Sequence, residues 1–132
     1  MGTQENKQLV KDAWASVSNG DAAGFFSRLA DDVTWTFFGT HRFAGTLRGK
    51  QEVIDKLFTP LGDVLADGIK VHIDTFTAED DRVIIESRGE AKSKTGQRYD
   101  NFYCIVITVR AGEIAAIREY LDTELVTAVF GK

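Results

Sequence analysis

An α+β fold is predicted by three features of this 132-residue sequence. Helical periodicity is confined to the first half, two-residue alternation begins at Ile69, and three short turn signals divide the second half into strands. Helices gathered at one end of a chain, with a strand meander behind them, indicate segregated α and β layers.

The elements can be justified in order. Leu9, Val10, Ala13, Trp14 and Val17 recur at helical spacing, with Thr3 as the expected N-cap and Asn19-Gly20 as the stop. Asp21 caps a second helix carrying Phe25, Phe26 and Leu29. A short strand is expected over 33–38, with Val33, Trp35 and Phe37 on one side. Gly39, Gly45 and Gly49 mark 39–49 as an irregular loop. Val53, Ile54, Leu57, Phe58 and Leu61 restore the helical period, Pro60 predicts a kink or a fresh turn near Thr59, and Gly68 ends the segment. Strands are then expected at about 69–77, 82–93, 98–110 and 113–123. The turn signals Asp80-Asp81, Thr95-Gly96 and Ala111-Gly112 are too short for anything but antiparallel hairpins.

Composition narrows the class. With 43% hydrophobic and 27% charged residues the chain is no disordered tail, and 1–132 reads as a single domain. A net charge of −4 argues against a general nucleic-acid binder, which needs cations to neutralise phosphates. The single cysteine, Cys104, excludes an intramolecular disulfide and a multi-cysteine zinc site. His41 and His72 are too far apart in sequence to suggest a metal site, and neither metal nor cofactor is expected. Gly45 and Gly49 open a helix but lack the Lys-Ser/Thr of a phosphate loop. The first residues carry no apolar signal core, and no apolar run approaches the ~18 residues of a membrane span. A cytoplasmic protein off the membrane is the expectation.

Pairing arithmetic then places the polar residues. With two-residue turns throughout, Arg88 faces Tyr103, Glu90 faces Asn101, and Tyr120 and Asp122 face Tyr103 and Asn101 from the last strand. Val71 and Ile73 join this face, while Phe102, Cys104, Val106, Ile117, Glu119 and Leu121 share the other. A bulge in any strand would break this register. If solvated, the first face is an ordinary polar surface with a structural ion-pair network. If covered by the helices, it is a polar cluster inside an aromatic pocket.

Several stretches resemble a known family. Val10–Asp21 followed by Leu29-Ala30-Asp31-Asp32-Val33, and Phe43-Ala44-Gly45-Thr46-Leu47-Arg48-Gly49 before a helix, resemble nuclear transport factor 2-like domains. The ending, from Tyr99-Asp100-Asn101-Phe102-Tyr103-Cys104 through Gly112-Glu113-Ile114 to Arg118-Glu119-Tyr120-Leu121-Asp122-Thr123, is similar to the SnoaL-like, ketosteroid-isomerase-related branch. The resemblance spans nearly the whole chain. It implies N-terminal helices packed in a strongly curved, mostly antiparallel sheet that forms a conical pocket, a cystatin-like roll. It also implies a small apolar ligand and a homodimer joined through the outer sheet face. Such domains serve as isomerases, polyketide cyclases, epoxide hydrolases and binding or dimerisation modules, so the fold does not settle the chemistry.

Residue by residue, the resemblance puts Phe37 where steroid isomerases carry their base and Ala13 where they carry an oxyanion-hole tyrosine. Steroid isomerisation is therefore disfavoured. Asp122 matches the acid/base aspartate of the polyketide cyclases. Arg88-Gly89-Glu90 with Asp122 resembles the Arg-x-Asp and second Asp of limonene-type epoxide hydrolases, with Glu90 one methylene longer. The expected function is cofactor-free acid/base chemistry on an apolar substrate, as isomerase, cyclase or epoxide hydrolase. The alternative is a non-catalytic ligand-binding or dimerisation module. In the catalytic reading Asp122 is the base, Arg88 bridges the charges and Glu90 is the acid. Tyr103, Asn101 and Tyr120 orient the substrate, while Trp14, Trp35 and Phe37 form the pocket wall.

Overall fold

The computed structural model describes residues 2–132. Helix α1 (Thr3–Ser18) buries Val10, Ala13 and Trp14 on one face, as the spacing requires. Its N-cap is Gly2 rather than Thr3, and the Glu5 carboxylate reaches back to accept from the Gly2 amide at 3.3 Å. Helix α2 (Ala22–Phe26) starts at Asp21, whose side chain accepts from Gly24 N. Leu29 does not continue that helix but opens strand β1 (Leu29–Phe37), which extends further toward the N-terminus than the expected strand.

The expected irregular loop contains a four-residue strand, β2 (Gly45–Arg48), paired antiparallel to β1. Helix α3 (Lys50–Val53) widens into a π-helical segment (Ile54–Phe58) and tightens again into α4 (Thr59–Val64), with Pro60 in its first turn. Four long strands come next: β3 (Lys70–Glu79), β4 (Arg82–Glu90), β5 (Phe102–Arg110) and β6 (Glu113–Leu121). The chain then turns into a helix, α5 (Thr123–Phe130), where the alternation predicts only a strand running to 123.

All six strands form one sheet in the order β2-β1-β6-β5-β4-β3. The β1–β6 pairing is parallel and joins the two halves of the chain, while the other pairings are antiparallel. The α+β class therefore holds, but the conical cystatin-like roll does not. The sheet is an open ladder with β2 and β3 as its two ends, neither closed nor strongly curled. Closure would need those edges to meet, and β2 is only four residues long. The far wall of the interior comes instead from helices. Helix α1 packs on β3 and β4, and α3 packs on β1 and β2. Ser18 pins α1 to β3, its hydroxyl accepting from Val71 N at 2.8 Å.

The main core lies between these layers and contains Val10, Phe25, Leu29, Val33, Ile85, Ile107 and Ile117. A smaller cluster under α5 holds Leu65, Tyr99, Val126 and Phe130. No helix among the described residues is long and apolar enough to cross a membrane.

The strand register departs from the two-residue-turn expectation in ways that decide what faces inward. The hairpin before β5 closes with Ser93 N donating to Gln97 O at 2.7 Å and a Lys92–Arg98 bridge. Its loop is therefore three residues long, and Arg88 pairs with Phe102 while Ser87 pairs with Tyr103. The turn at Ala111-Gly112 is two residues long as expected, with Arg110 opposite Glu113. A bulge between Thr108 and Val109 on the ladder then shifts every later pair, so that Tyr103 faces Leu121 and Ile105 faces Glu119. A second irregularity, between Ile73 and Thr75, does the same to the far end of β3. Because side chains alternate with period two, a one-residue slip exchanges the two faces.

Candidate functional site

A cavity of about 240 Å³ opens between the helical layer and the sheet. Its walls are mainly aromatic and aliphatic: Trp14 from α1, Trp35 and Phe37 from β1, Phe58 and Leu61 from the π-to-α4 segment, and Ile105 from β5. Trp35 and Phe37 stack with their planes 8° apart. Among the described residues, no lysine, arginine or histidine side chain lines the cavity.

Against this apolar wall stand a few hydroxyls and one carboxylate. Glu119 is only 5% exposed, on a strand whose neighbours Ile117 and Leu121 also face inward. Trp35 Nε1 donates to its Oε1 at 3.2 Å. Burial pushes the Glu119 carboxyl up to about 8, with the indole hydrogen bond opposing the shift. The group is thus mostly protonated at neutral pH and is itself a donor. Ser87 Oγ and Tyr103 Oη are buried without a hydrogen-bond partner among the described residues, and both residues line the cavity. Burial raises Tyr103 well above the ordinary phenol range. Burial likewise pushes Tyr99 up to about 12, opposed by the hydrogen bond from Asn101 Nδ2 at 3.1 Å. The Tyr99 and Tyr103 hydroxyls influence one another's ionisation but lack the geometry of a hydrogen bond.

Gly89 makes room for the Tyr103 ring. A β-carbon there would lie 3.0 Å from Tyr103 Cε2, 3.1 Å from Ile69 Cγ2 and 3.2 Å from Tyr103 Oη. Gly89→Ala is expected to displace that ring and to cost about 1–3 kcal/mol. Chemical denaturation of the variant checks this.

The anticipated catalytic cluster is not assembled. Arg88 and Glu90 point from the outer, exposed face of β4, because the three-residue loop and the bulges invert the expected faces. Arg88 binds both Asp74 oxygens at 3.2 Å, and that pairing raises its pKa further. Glu90 meets His72 Nε2 at 2.8 Å, which holds its carboxyl below the usual range. Asp122 is the N-cap of α5, accepting from Glu124 N at 3.1 Å and Leu125 N at 3.3 Å. Asp122→Ala should therefore cost about 1 kcal/mol, and Asp122→Asn only a few tenths, since both Asp and Asn cap well. Urea midpoints of the two variants test this.

Of the anticipated binding residues, Trp14, Trp35, Phe37 and Tyr103 do line the cavity. Tyr120 lies on the outer face, 42% exposed and stacked on Phe38 at 4.5 Å. Asn101 is buried behind the site as a strut. Its Oδ1 accepts from Phe102 N at 2.7 Å and Asp122 N at 3.0 Å, while its amide reaches Tyr99 and the Asp122 carbonyl. His41 is buried in its loop. Its Nδ1 accepts from Phe43 N at 3.2 Å, which leaves Nε2–H to donate to Phe38 O at 3.1 Å. The residue that sequence reasoning missed is Glu119. The signal was its place between Ile117 and Leu121 in an alternating run, a carboxylate on an apolar face. Among the described residues, no three His, Cys, Asp or Glu side chains gather as a metal site needs.

Comparison with known proteins places this architecture. A profile described as a SnoaL-like domain matches residues 10–117. An uncharacterised protein of Mycobacterium tuberculosis is 29% identical over 125 residues, covering 92% of each chain. A nuclear transport factor 2-like protein of Burkholderia xenovorans is 28% identical, with a TM-score of 0.78 and 98% of each chain covered. A similar protein of Burkholderia thailandensis is also 28% identical over 98% of each chain, with a TM-score of 0.83.

Proposed function

The chain belongs to the SnoaL-like domain family, within the nuclear transport factor 2-like superfamily, and from that premise we propose that its cavity takes an uncharged, largely apolar small molecule and transfers a proton to it from Glu119. One observation carries this reading: a carboxyl buried in an apolar cavity with its pKa pushed up to about 8. A group poised near the working pH exchanges protons in both directions with little penalty. Protonated, Glu119 hydrogen-bonds to a carbonyl or epoxide oxygen and donates to it as negative charge develops there. Deprotonated, it takes a proton back, from the α-carbon of a ketone as the enol forms, or from the water that attacks the epoxide carbon as the C–O bond opens. Tyr103 and Ser87, whose hydroxyls lack partners among the described residues, supply further donors to the same oxygen. Trp14, Trp35 and Phe37 hold the apolar body of the substrate. With no cation lining the cavity among the described residues, an anionic ligand has nothing to offset its desolvation.

The test uses two simple substrates, β-tetralone followed by α-proton exchange in heavy water and styrene oxide followed by hydration. Turnover of either, with a pH profile inflecting near 8 that Glu119→Gln loses, is the expected result. A second reading rests on the fact that Glu119 is the only carboxylate on the cavity wall among the described residues, so acid and base would have to be one group. In that reading the protein binds its ligand without turning it over. Tight binding of both compounds with no turnover would select it.

The outer sheet face carries Phe102, 65% exposed, and Tyr120. It is the surface on which a second copy would pack in the expected homodimer, and sedimentation of the chain tests this.

A further inference from the structure

Every lining residue of the cavity that is also solvent-exposed is a glycine or an alanine: Gly20, Ala22, Gly62 and Gly68. They come from three separate segments, namely the α1–α2 turn with the first residue of α2, α4, and the loop entering β3. The remaining lining residues are buried or half-buried. The mouth of the cavity is thus framed by backbone, while unpartnered Ser87 Oγ, in a residue only 4% exposed, waits inside.

Two of these glycines are explained by local geometry. Gly20 and Gly68 have φ of 73° and 71°, a region that side chains disfavour. Gly62 has no such reason. It lies within a helix, where glycine is a poor choice, and a β-carbon built on it meets nothing within 4 Å. What Gly62 contributes is the absence of a side chain at the mouth. The segment before it is the π-to-α4 strap, whose Phe58 and Leu61 already line the cavity, so a larger residue at 62 would extend that wall across the opening.

We propose that Gly20, Ala22, Gly62 and Gly68 frame the entry port of the cavity and that Gly62 sets its width, admitting uncharged, largely apolar compounds. The port rests on the functional reading only for what passes through it. Its existence is independent of any turnover, and the test separates the two.

The chain has two tryptophans, Trp14 and Trp35, and both line the cavity while being nearly buried. Intrinsic fluorescence therefore reports on the cavity. Acrylamide, a small neutral quencher, is expected to reach them in the wild type. Gly62→Phe should lower the quenching constant several-fold with an unchanged circular dichroism spectrum. Ala22→Phe, on a different segment of the frame, serves as the second variant should Gly62→Phe fail to fold. In the same variants, association of the uncharged naphthyl ketone prodan should slow about tenfold. Wild-type tryptophans beyond the reach of acrylamide, or folded variants quenched like wild type, overturn the port. Quenching that falls in the variants while prodan fails to bind even the wild type upholds the port and sinks the ligand class.

Discussion

Stability of the wild-type protein is expected to fall as the pH rises from about 4.5 to about 8, and Glu119→Gln is expected to remove that decline. The sign comes from linkage. Glu119 in the unfolded chain titrates near 4.5, and burial in the folded chain pushes it to about 8. Between these values the folded state holds a proton that the unfolded state has released, so raising the pH favours unfolding. The contribution is fully present below 4.5 and is lost through the folded pKa. The full shift corresponds to at most about 5 kcal/mol. Glutamine keeps the shape and the acceptor for Trp35 Nε1 but never ionises. Urea unfolding of both proteins across this range measures the effect. Parallel pH profiles would mean that Glu119 is not buried as a neutral acid, and the proton-transfer reading would fall with it.

The second large effect is expected at Phe25. Its ring is fully buried and lies 5.4 Å from Trp14, 5.6 Å from Phe58 and 6.0 Å from Trp35. It does not line the cavity itself but backs three residues that do. Phe25→Ala should cost about 3–5 kcal/mol, combining lost transfer free energy with the void left behind. Because the void would lie directly behind the wall, the variant should also loosen ligand discrimination. Larger probes would gain affinity relative to small ones. A cost under about 1 kcal/mol would mean that the aromatic cluster repacks freely, and the cavity would then not be a rigid binding site.

How much of this was legible in the sequence depended on whether the signal was local. The α1 stripe, the Asp21 cap and the hairpin turns at Asp80-Asp81 and Ala111-Gly112 are short-range chemistry, and each is found where its residues predict. Strand order is not local. Nothing in residues 29–37 announces that they pair in parallel with residues 114–119. Helix α5 carried a readable cap and periodicity in Asp122, Leu125, Val126 and Val129, but the alternation ahead of it masked the change. The cavity walls Trp14, Trp35, Phe37 and Tyr103 were legible because large aromatic residues seek the interior. The polar centre was not. A three-residue loop and a single bulge each shift the count by one, and both leave only small or common residues as markers. Those two slips put Arg88 and Glu90 outside and Glu119 inside.

The parallel pairing of β1 with β6 also has a consequence for how the chain comes into being. Emerging from the ribosome, β1 gains β2 at once, but its other edge must wait until β6 has been made. Through that interval the ribbon exposes Trp35, Phe37 and a row of unpaired amides, a template for wrong partners. Contacts so distant in sequence form slowly, since the intervening chain must be ordered first. Nascent chains stalled before Glu113 should therefore be protease-sensitive and prone to aggregation, and chains released past Phe130 should not.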